Sequence, residues 1–171
     1  MLEPFLVVFV CTGNICRSPM AEGILKEMLT DEAERSGALP PLQVMSAGTH
    51  AMDGFNPSEY AVMVAAEEGI DISNYISRFL TGDVVDRADL ILTMERDHTE
   101  MITHVWPNAS AVYDLTAFAS TPGKMPVTTD IHDPIGCGKT IYRNVFSEIK
   151  REIERVAPVI IDLARKKARE G

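Results

Sequence analysis

The most informative stretch of this sequence is Phe5-Leu6-Val7-Val8-Phe9-Val10, which is followed directly by Cys11-Thr12-Gly13-Asn14-Ile15-Cys16-Arg17-Ser18-Pro19. The first six residues are all apolar and rich in valine, which is typical of a strand buried on both faces of a sheet. Ser18 and Pro19 suit the start of a helix, because serine caps free N–H groups and proline fits the first turn. The stretch therefore predicts a strand, a tight loop and a helix.

The rest of the chain continues this alternation of strands and helices. Further strands are expected at Leu42–Ser46, with a turn at Ala47-Gly48, and at Asp89–Thr93 and Ala111–Leu115. Helices are expected from Ser18 to about Gly37, at Pro57–Glu68, Gly82–Arg87 and Glu95–Val105, and from Thr140 onward, where Pro158 should kink or interrupt the helix. Residues 120–137 carry three prolines and predict a long loop. This order predicts an α/β fold, with one three-layer domain over residues 1–171 and a four-stranded parallel sheet between helices on both faces.

Composition and charge exclude several classes of protein. The chain has 171 residues, of which 46% are hydrophobic, and this is enough for one buried core. The net charge of −9 argues against a nucleic-acid partner, since a phosphate backbone would be repelled. No apolar run reaches membrane length, so no membrane partner is expected. The odd set of Cys11, Cys16 and Cys137 predicts free thiols in a reducing compartment, and hence the cytoplasm.

The loop from Cys11 to Ser18 has the residue types of an anion site that contains a nucleophile. Backbone N–H groups of a tight loop at a helix start converge on an anion, and Gly13 and Asn14 tolerate the left-handed angles that such a loop needs. Arg17 can bind two phosphate oxygens at once. These surroundings favour the thiolate of Cys11, which would attack phosphorus. The alternative is that Cys11 is a small buried hydrophobe at a strand end.

The string Val10–Pro19 resembles the signature loop of the low-molecular-weight protein-tyrosine phosphatases. The resemblance continues through Ser46-Ala47-Gly48-Thr49, Asp89-Leu90-Ile91-Leu92-Thr93-Met94 and Asp133-Pro134. It implies a four-stranded parallel sheet flanked by helices, with the phosphate-binding loop after strand 1. It also implies a phosphocysteine intermediate, no metal and no cofactor. The expected substrates are phosphorylated protein side chains, and the product is inorganic phosphate.

The resemblance also assigns roles to individual residues. It implies that Cys11 is the nucleophile, that Arg17 binds phosphate and that Asp133 is the proton donor. It places the phosphate in a loop in which Ser18 hydrogen-bonds the thiolate, while Asn14 with Ser46 holds the loop in shape. The loop residues are Thr12, Gly13, Asn14, Ile15, Cys16, Arg17 and Ser18. Chemistry supports an acid, because a phenol oxygen with a pKa near 10 needs a proton as the P–O bond breaks.

Two features bear on the phosphorylated side chain, and they disagree. Ile135-Gly136 follow the Asp-Pro pair and Met52 occupies a wall position, where relatives that act on phosphotyrosine often carry aromatic residues. This pattern is similar to a bacterial branch that includes protein-arginine phosphatases. Those enzymes look to carry threonine at the position of Ile15, whereas an aliphatic residue there is associated with phosphotyrosine. The sequence therefore predicts a phosphotyrosine phosphatase, with protein-arginine phosphatase as the alternative.

Two further functions are less consistent with the sequence. A thioredoxin-linked arsenate reductase needs two more cysteines to relay a disulfide, and none lies between Cys16 and Cys137. A non-catalytic phosphopeptide-binding module is expected to lack Cys11, Arg17 or Asp133, and all three are present. Cys16 is either a plain loop residue or the partner of Cys11 in a reversible disulfide. The four histidines show no metal-ligand spacing and are expected at the surface: His50, His98, His104 and His132.

Overall fold

A computed structural model describes residues 3–121, 123 and 129–171, so the expected loop at 120–137 lies partly outside the described residues. The strands are β1 (Phe5–Cys11), β2 (Leu42–Gly48), β3 (Leu90–Thr93) and β4 (Val112–Asp114). The helices are α1 (Arg17–Ser36), α2 (Glu59–Glu67), α3 (Gly82–Arg87), α4 (Arg96–Val105) and α5 (Lys139–Glu170). Strand β2 includes Ala47 and Gly48, where a turn was expected, because both residues continue the pairing with β1.

The four strands form one parallel sheet in the order β2-β1-β3-β4. Strand β1 is central and every one of its residues is buried, as its continuous apolar run predicts. Its last residue, Cys11, pairs with Gly48 of β2, and Val10 pairs with Thr93 of β3. The carboxyl ends of the strands therefore meet at one edge of the sheet, where ligands bind in open α/β folds.

Side chains of β1 alternate between two apolar clusters, one on each face of the sheet. Val7 and Phe9 pack against residues of α1, α2 and α5, whereas Val8 and Val10 pack against Val85 and Ile102 of α3 and α4. The predicted three-layer α/β architecture is confirmed, with helices on both faces of a four-stranded parallel sheet.

One expectation about helices is wrong, and so is part of a second. Ser18 does not cap α1, because the helix begins at Arg17 and the Ser18 hydroxyl lies beside the Cys11 thiol instead. Pro158 does not interrupt α5, which continues to Glu170. Buried Val156 and Ile160 anchor the helix on both sides of this exposed proline, so packing outweighs one lost backbone bond. Among the described helices, none is both long and apolar enough to cross a membrane.

The end of α5 is fastened to the starts of β1 and β3. The Lys167 ammonium lies 2.7 Å from Oδ2 of Asp89 and donates to the carbonyl of Pro4 at 3.2 Å. The same Asp89 oxygen accepts the backbone N–H of Leu6 at 2.7 Å. This arrangement, here called the Lys167 clasp, lies at the amino-terminal edge of the sheet, opposite Cys11.

Candidate functional site

The segment Cys11–Ser18, here called the cysteine loop, turns from the end of β1 into α1. The Cys11 side chain is buried, and its Sγ lies 2.9 Å from the Ser18 hydroxyl. The backbone N–H of Asn14 donates to the same sulfur at 3.3 Å. Asn14 has a φ of 54°, a left-handed conformation that asparagine adopts more readily than most residues. The loop therefore curves around the sulfur and directs donors toward it.

The Asn14 side chain joins the cysteine loop to its surroundings with three hydrogen bonds. Its amide nitrogen donates to the hydroxyls of Ser18 at 2.8 Å and Ser46 at 2.9 Å, and its oxygen accepts the Arg78 backbone N–H at 2.9 Å. Ser46 in turn donates to the buried Glu22 carboxylate at 2.6 Å. The structure thus brings Asn14, Ser18 and Ser46 together, as the resemblance implied. The sequence suggested only that Glu22 complements the positive end of α1, and its contact with Ser46 was missed because that contact crosses from α1 to β2.

Gly48 allows the end of β2 to approach the cysteine loop. A β-carbon at this position would lie 2.5 Å from the Thr12 carbonyl oxygen and 3.0 Å from the Asn14 nitrogen. The chain after Gly48 also supports the loop, because the backbone N–H groups of Thr49 and His50 donate to the carbonyls of Cys11 and Thr12, both at 2.9 Å. A side chain at position 48 would push these two backbones apart.

Arg17 is a central contact of the site. Its side chain is 1% exposed, and one terminal nitrogen donates to the Glu95 carboxylate and to the Ile131 carbonyl, the latter at 2.8 Å. The other terminal nitrogen lies 3.3 Å from Oδ2 of Asp133 and 3.5 Å from the Thr12 hydroxyl. Its Nε–H is buried and has no hydrogen-bond partner among the residues that the structure describes. The guanidinium thus joins the cysteine loop to the start of α4 and to the segment that carries Asp133.

Asp133 lies across a small cavity from the cysteine loop. Its side chain is 37% exposed, and its Oδ1 accepts the backbone N–H of Ile135 at 3.1 Å. The cavity has a volume of about 170 Å³, which suits a phosphoryl group with part of its side chain, and this space is here called the cysteine-loop cavity. Its lining residues are Cys11, Thr12, Gly13, Ile15, Cys16, Arg17, Asp133 and Ile135.

A larger cavity, of about 690 Å³, lies at the opposite edge of the sheet beside the Lys167 clasp. Its lining is polar and contains neither cysteine nor histidine: Glu3, Pro4, Leu6, Gln43, Asp86, Arg87, Ala88, Asp89, Ser110 and Lys167. Because that lining offers no thiol nucleophile and lies at the edge of the sheet away from the cysteine loop, the smaller cavity is the better candidate site.

The three wall positions singled out in the sequence lie in different places. Ile15 and Ile135 both line the cysteine-loop cavity, and Ile135 is 53% exposed. Met52 is 69% exposed and is not among the residues that line this cavity. The apolar walls of the cavity are therefore aliphatic rather than aromatic.

His98 is buried, so the expectation that it lies at the surface is wrong. It is 5% exposed, its Nδ1 accepts the Glu95 backbone N–H at 3.1 Å, and its Nε2 lies 2.9 Å from the Thr12 hydroxyl. Burial lowers the pKa of the imidazole. Glu95 and His98 lie at the start of the helix that follows β3, and β3 lies beside β1. This position was the signal in the sequence that the two residues could reach the cysteine loop.

The other histidines are exposed, as expected: His50, His104 and His132. Across residues 3–121, 123 and 129–171, no group of three or more histidine, cysteine, aspartate or glutamate side chains is arranged to hold a metal ion.

Cys16 differs from Cys11 in its surroundings. Its Sγ lies 3.3 Å from the hydroxyls of both Ser58 and Tyr142, and burial raises the pKa of its thiol. Cys16 therefore stays protonated at neutral pH. All three cysteines are free thiols, with Cys137 partly exposed. Both alternatives for Cys16, a plain loop residue and the partner of Cys11 in a reversible disulfide, stay predictions.

Comparisons with known proteins agree with this geometry. The family model described as "Low molecular weight phosphotyrosine protein phosphatase" matches residues 6–169. A protein-arginine-phosphatase of Geobacillus stearothermophilus is 36% identical over 156 residues, which cover 90% of this chain and 95% of that protein. The probable low molecular weight protein-tyrosine-phosphatase EpsP of Ralstonia nicotianae is 36% identical over 161 residues, which cover 94% of this chain and 97% of that protein.

A solved structure extends the likeness to three dimensions. It is a cysteine-to-serine mutant of the YwlE arginine phosphatase with a phosphorylated active-site serine. It superposes with a TM-score of 0.77 at 30% identity, and the match covers 91% of this chain and 95% of that one. Since the family model spans nearly the whole sequence, the chain belongs to the low molecular weight phosphotyrosine protein phosphatase family.

Proposed function

We propose that this chain is a metal-independent protein phosphatase that hydrolyses phosphotyrosine through a phosphocysteine intermediate. The observation that carries the proposal is the convergence of Cys11, Arg17 and Asp133 on the cysteine-loop cavity. These side chains supply a nucleophile, a cation for the phosphoryl oxygens and a proton donor, which are three roles that the reaction needs. We propose further that residues 1–171 form one domain that works in the cytoplasm, since the three thiols are free.

Cys11 acts as the nucleophile. The Ser18 hydroxyl at 2.9 Å and the Asn14 N–H at 3.3 Å stabilise a thiolate by donating to its sulfur. The thiolate attacks phosphorus, so that an S–P bond forms as the bond from phosphorus to the substrate oxygen breaks. The covalent step is supported by the relative in which the serine that replaces the active-site cysteine is phosphorylated.

Arg17 and the backbone of the cysteine loop stabilise the charge on the phosphoryl oxygens. The guanidinium is held by Glu95 and by the Ile131 carbonyl before any substrate binds. Its orientation therefore need not be established during the reaction, which is the condition for effective electrostatic catalysis. A bound phosphoryl oxygen would also give a partner to the Nε–H of Arg17, whose burial without one is unfavourable.

Asp133 acts first as an acid and then as a base. As a carboxylic acid it donates its proton to the departing phenol oxygen, and it is left as a carboxylate. That carboxylate then accepts a proton from a water molecule, whose oxygen attacks phosphorus and breaks the S–P bond. Inorganic phosphate leaves, and Cys11 is again a thiolate. The partial exposure of Asp133 suits this role, because it must meet both the leaving group and water.

Protein-arginine phosphatase is the alternative function, since one relative with that name and one named as a probable tyrosine phosphatase are each 36% identical to this chain. Ile15 favours phosphotyrosine, because its aliphatic side chain lines the cysteine-loop cavity and offers no hydroxyl to a guanidinium group. An arsenate reductase and a phosphopeptide-binding module are less consistent with the residues. This chain has no cysteine between Cys16 and Cys137 to serve as the relay of an arsenate reductase, and a binding module would have no need of Asp133.

The test is phosphate release from matched phosphotyrosine and phosphoarginine peptides in the presence of a chelator. Wild-type protein is expected to release phosphate faster from the phosphotyrosine peptide. Cys11→Ser should abolish release while it still binds phosphate, and Cys137→Ser, a matched change outside the cavity, should leave the rate unchanged. Faster release from phosphoarginine would select the alternative. Binding without release by wild-type protein would instead identify a binding module, and a requirement for added Mg²⁺ or Zn²⁺ would contradict the mechanism.

A further inference from the structure

We propose that the Thr12 hydroxyl is a further hydrogen-bond donor to the bound phosphoryl group, and that His98 is the positioning residue that holds it. This inference rests on the proposed function, because it concerns the anion that the cysteine loop binds. It adds a side-chain donor to the loop backbone and Arg17 as groups that bind the phosphoryl oxygens, and it gives the buried histidine on α4 a role.

The hydrogen bonds around His98 define the position of its proton. The Glu95 backbone N–H can only donate, so Nδ1 of His98 must accept and carries no proton. A neutral imidazole then bears its proton on Nε2, which lies 2.9 Å from the Thr12 hydroxyl oxygen. The His98–Thr12 hydrogen bond therefore runs from the imidazole to the hydroxyl.

The ring stays neutral at neutral pH because of its surroundings. Burial lowers the pKa of His98, and the nearby Arg17 guanidinium acts in the same direction. The carboxylates of Glu95, Asp97 and Asp130 oppose this change, and burial is the largest of these effects. Nε2 is therefore a hydrogen-bond donor throughout the neutral range.

Thr12 is left with one hydrogen bond still to make. Its oxygen accepts from His98 and lies 3.5 Å from a terminal nitrogen of Arg17, so both lone pairs face donors. Its O–H has no acceptor among the residues that the structure describes. Thr12 lines both the cysteine-loop cavity and a neighbouring cavity of about 410 Å³. The hydroxyl is therefore an oriented donor at the edge of the cavity into which the phosphoryl group must enter.

The start of α4 holds two groups of the site at once. The Glu95 carboxylate binds Arg17, and the imidazole of His98, three residues later, binds Thr12. These two residues also cap each other's backbone in the first turn of α4. The histidine is thus fixed by the helix and not by the loop that it supports, as a positioning role requires.

The first experiment removes the hydroxyl and keeps the shape of the side chain. Thr12→Val is expected to weaken the binding of inorganic phosphate, measured by calorimetry, by roughly 10- to 100-fold, the usual effect of losing a hydrogen bond to a charged group. The rate constant kcat/KM with p-nitrophenyl phosphate should fall by a similar factor. Thr103→Val, the same change on the exposed face of α4, should alter neither value. Phosphate affinity of Thr12→Val within twofold of wild type would overturn the inference.

The second experiment tests whether His98 acts through Thr12. His98→Leu is expected to weaken phosphate binding about as much as Thr12→Val, and the double variant should be no weaker than either single one. His98→Gln should recover most of the affinity, because its amide can accept from Glu95 and donate to Thr12. His104→Leu, on the exposed side of the same helix, is the matched control. Additive losses in the double variant would show that His98 does not work through Thr12.

Thermal unfolding of each variant separates a positioning role from a loss of folding. If His98→Leu does not fold, the other two variants still test the inference. Folded Thr12→Val should bind phosphate weakly, and folded His98→Gln should bind it nearly as well as wild type. Failure of the proposed function is seen separately, as wild-type protein that binds phosphate and releases none from any phosphopeptide. Failure of this inference alone is seen as active wild-type protein whose phosphate affinity does not depend on the Thr12 hydroxyl.

Discussion

The two segments that face each other across the cysteine-loop cavity are held in different ways. On one side, Cys11, Asn14 and Ser18 are buried and linked by side-chain hydrogen bonds that continue to Ser46. On the other side, Asp133 is partly exposed and makes one ion pair across the cavity, at 3.3 Å from Arg17. Its remaining hydrogen bond is with the backbone of its own turn.

This difference matches the two kinds of work that the proposed reaction requires. Stabilising the charge of the phosphoryl oxygens needs donors that are already in place, and the buried side of the cavity provides them. Protonating a departing oxygen and then activating water needs a group that reaches both, and the exposed side provides it. We therefore expect changes on the buried side to lower folding stability, and changes on the exposed side to impair proton transfer with little effect on stability.

The largest expected effect comes from the exposed side. Asp133→Ala should lower kcat with phenyl phosphate by about 10²–10⁴-fold, because the phenolate then leaves without a proton. The loss should be smaller with p-nitrophenyl phosphate, whose leaving group is a weaker base, and thermal stability should change little. Steady-state kinetics with both substrates check this, with Asp162→Ala on the exposed face of α5 as the control. Equal losses with the two substrates would contradict the role of Asp133 as an acid.

A change on the buried side should lower stability as well as activity. Asn14→Ala removes three hydrogen bonds and places alanine at a φ of 54°, so the unfolding free energy should fall by roughly 1–3 kcal/mol. We expect kcat/KM to fall about tenfold or more, because the loop loses its support. Urea unfolding and kinetics measure both effects, and Asn56→Ala, at an exposed asparagine, is the matched control. Unchanged stability of Asn14→Ala would remove the contrast between the two sides.

The smallest expected effect concerns the choice of phosphorylated side chain, to which each side contributes one wall residue. Ile15→Thr should raise the ratio of phosphoarginine to phosphotyrosine hydrolysis by about tenfold, since one pocket contact is worth roughly this much. Ile135→Thr, on the more exposed wall, should change the ratio less. Competition between the two phosphopeptides measures the ratio directly. A larger shift for Ile135→Thr would move the control of specificity to the exposed side.

The sequence was most informative where local pattern and chemistry coincide. The apolar run Phe5–Val10 predicted the central buried strand, and Gly13 and Asn14 predicted a curved loop. Of these two residues, Asn14 adopts the left-handed conformation and Gly13 does not. Asp133 was found through the resemblance alone, because an Asp-Pro pair is otherwise a common start of a turn. The structure lines one cavity with Cys11, Arg17 and Asp133, as the resemblance implied.

Two partners of the cysteine loop, Glu95 and His98, were missed, because each contact joins residues far apart in the chain and no motif links them. Glu95 pairs with Arg17 across 78 positions, and His98 reaches Thr12 across 86. Neither residue lies in a motif, and a histidine in a polar helical turn is expected to face solvent. Their contacts follow from the strand order, which places the end of β3 beside the end of β1.

The Lys167 clasp has a consequence for how this protein can be handled. Because Lys167 touches Pro4, the two ends of the described chain lie side by side at the edge of the sheet away from Cys11. The seven residues of β1 separate that edge from the nucleophile by roughly 20 Å. A fluorophore or surface tether attached at either end should therefore leave the path of a large phosphoprotein free. Cys11→Ser can therefore be attached to a surface through one terminus, and the binding of phosphoproteins to it can then be measured.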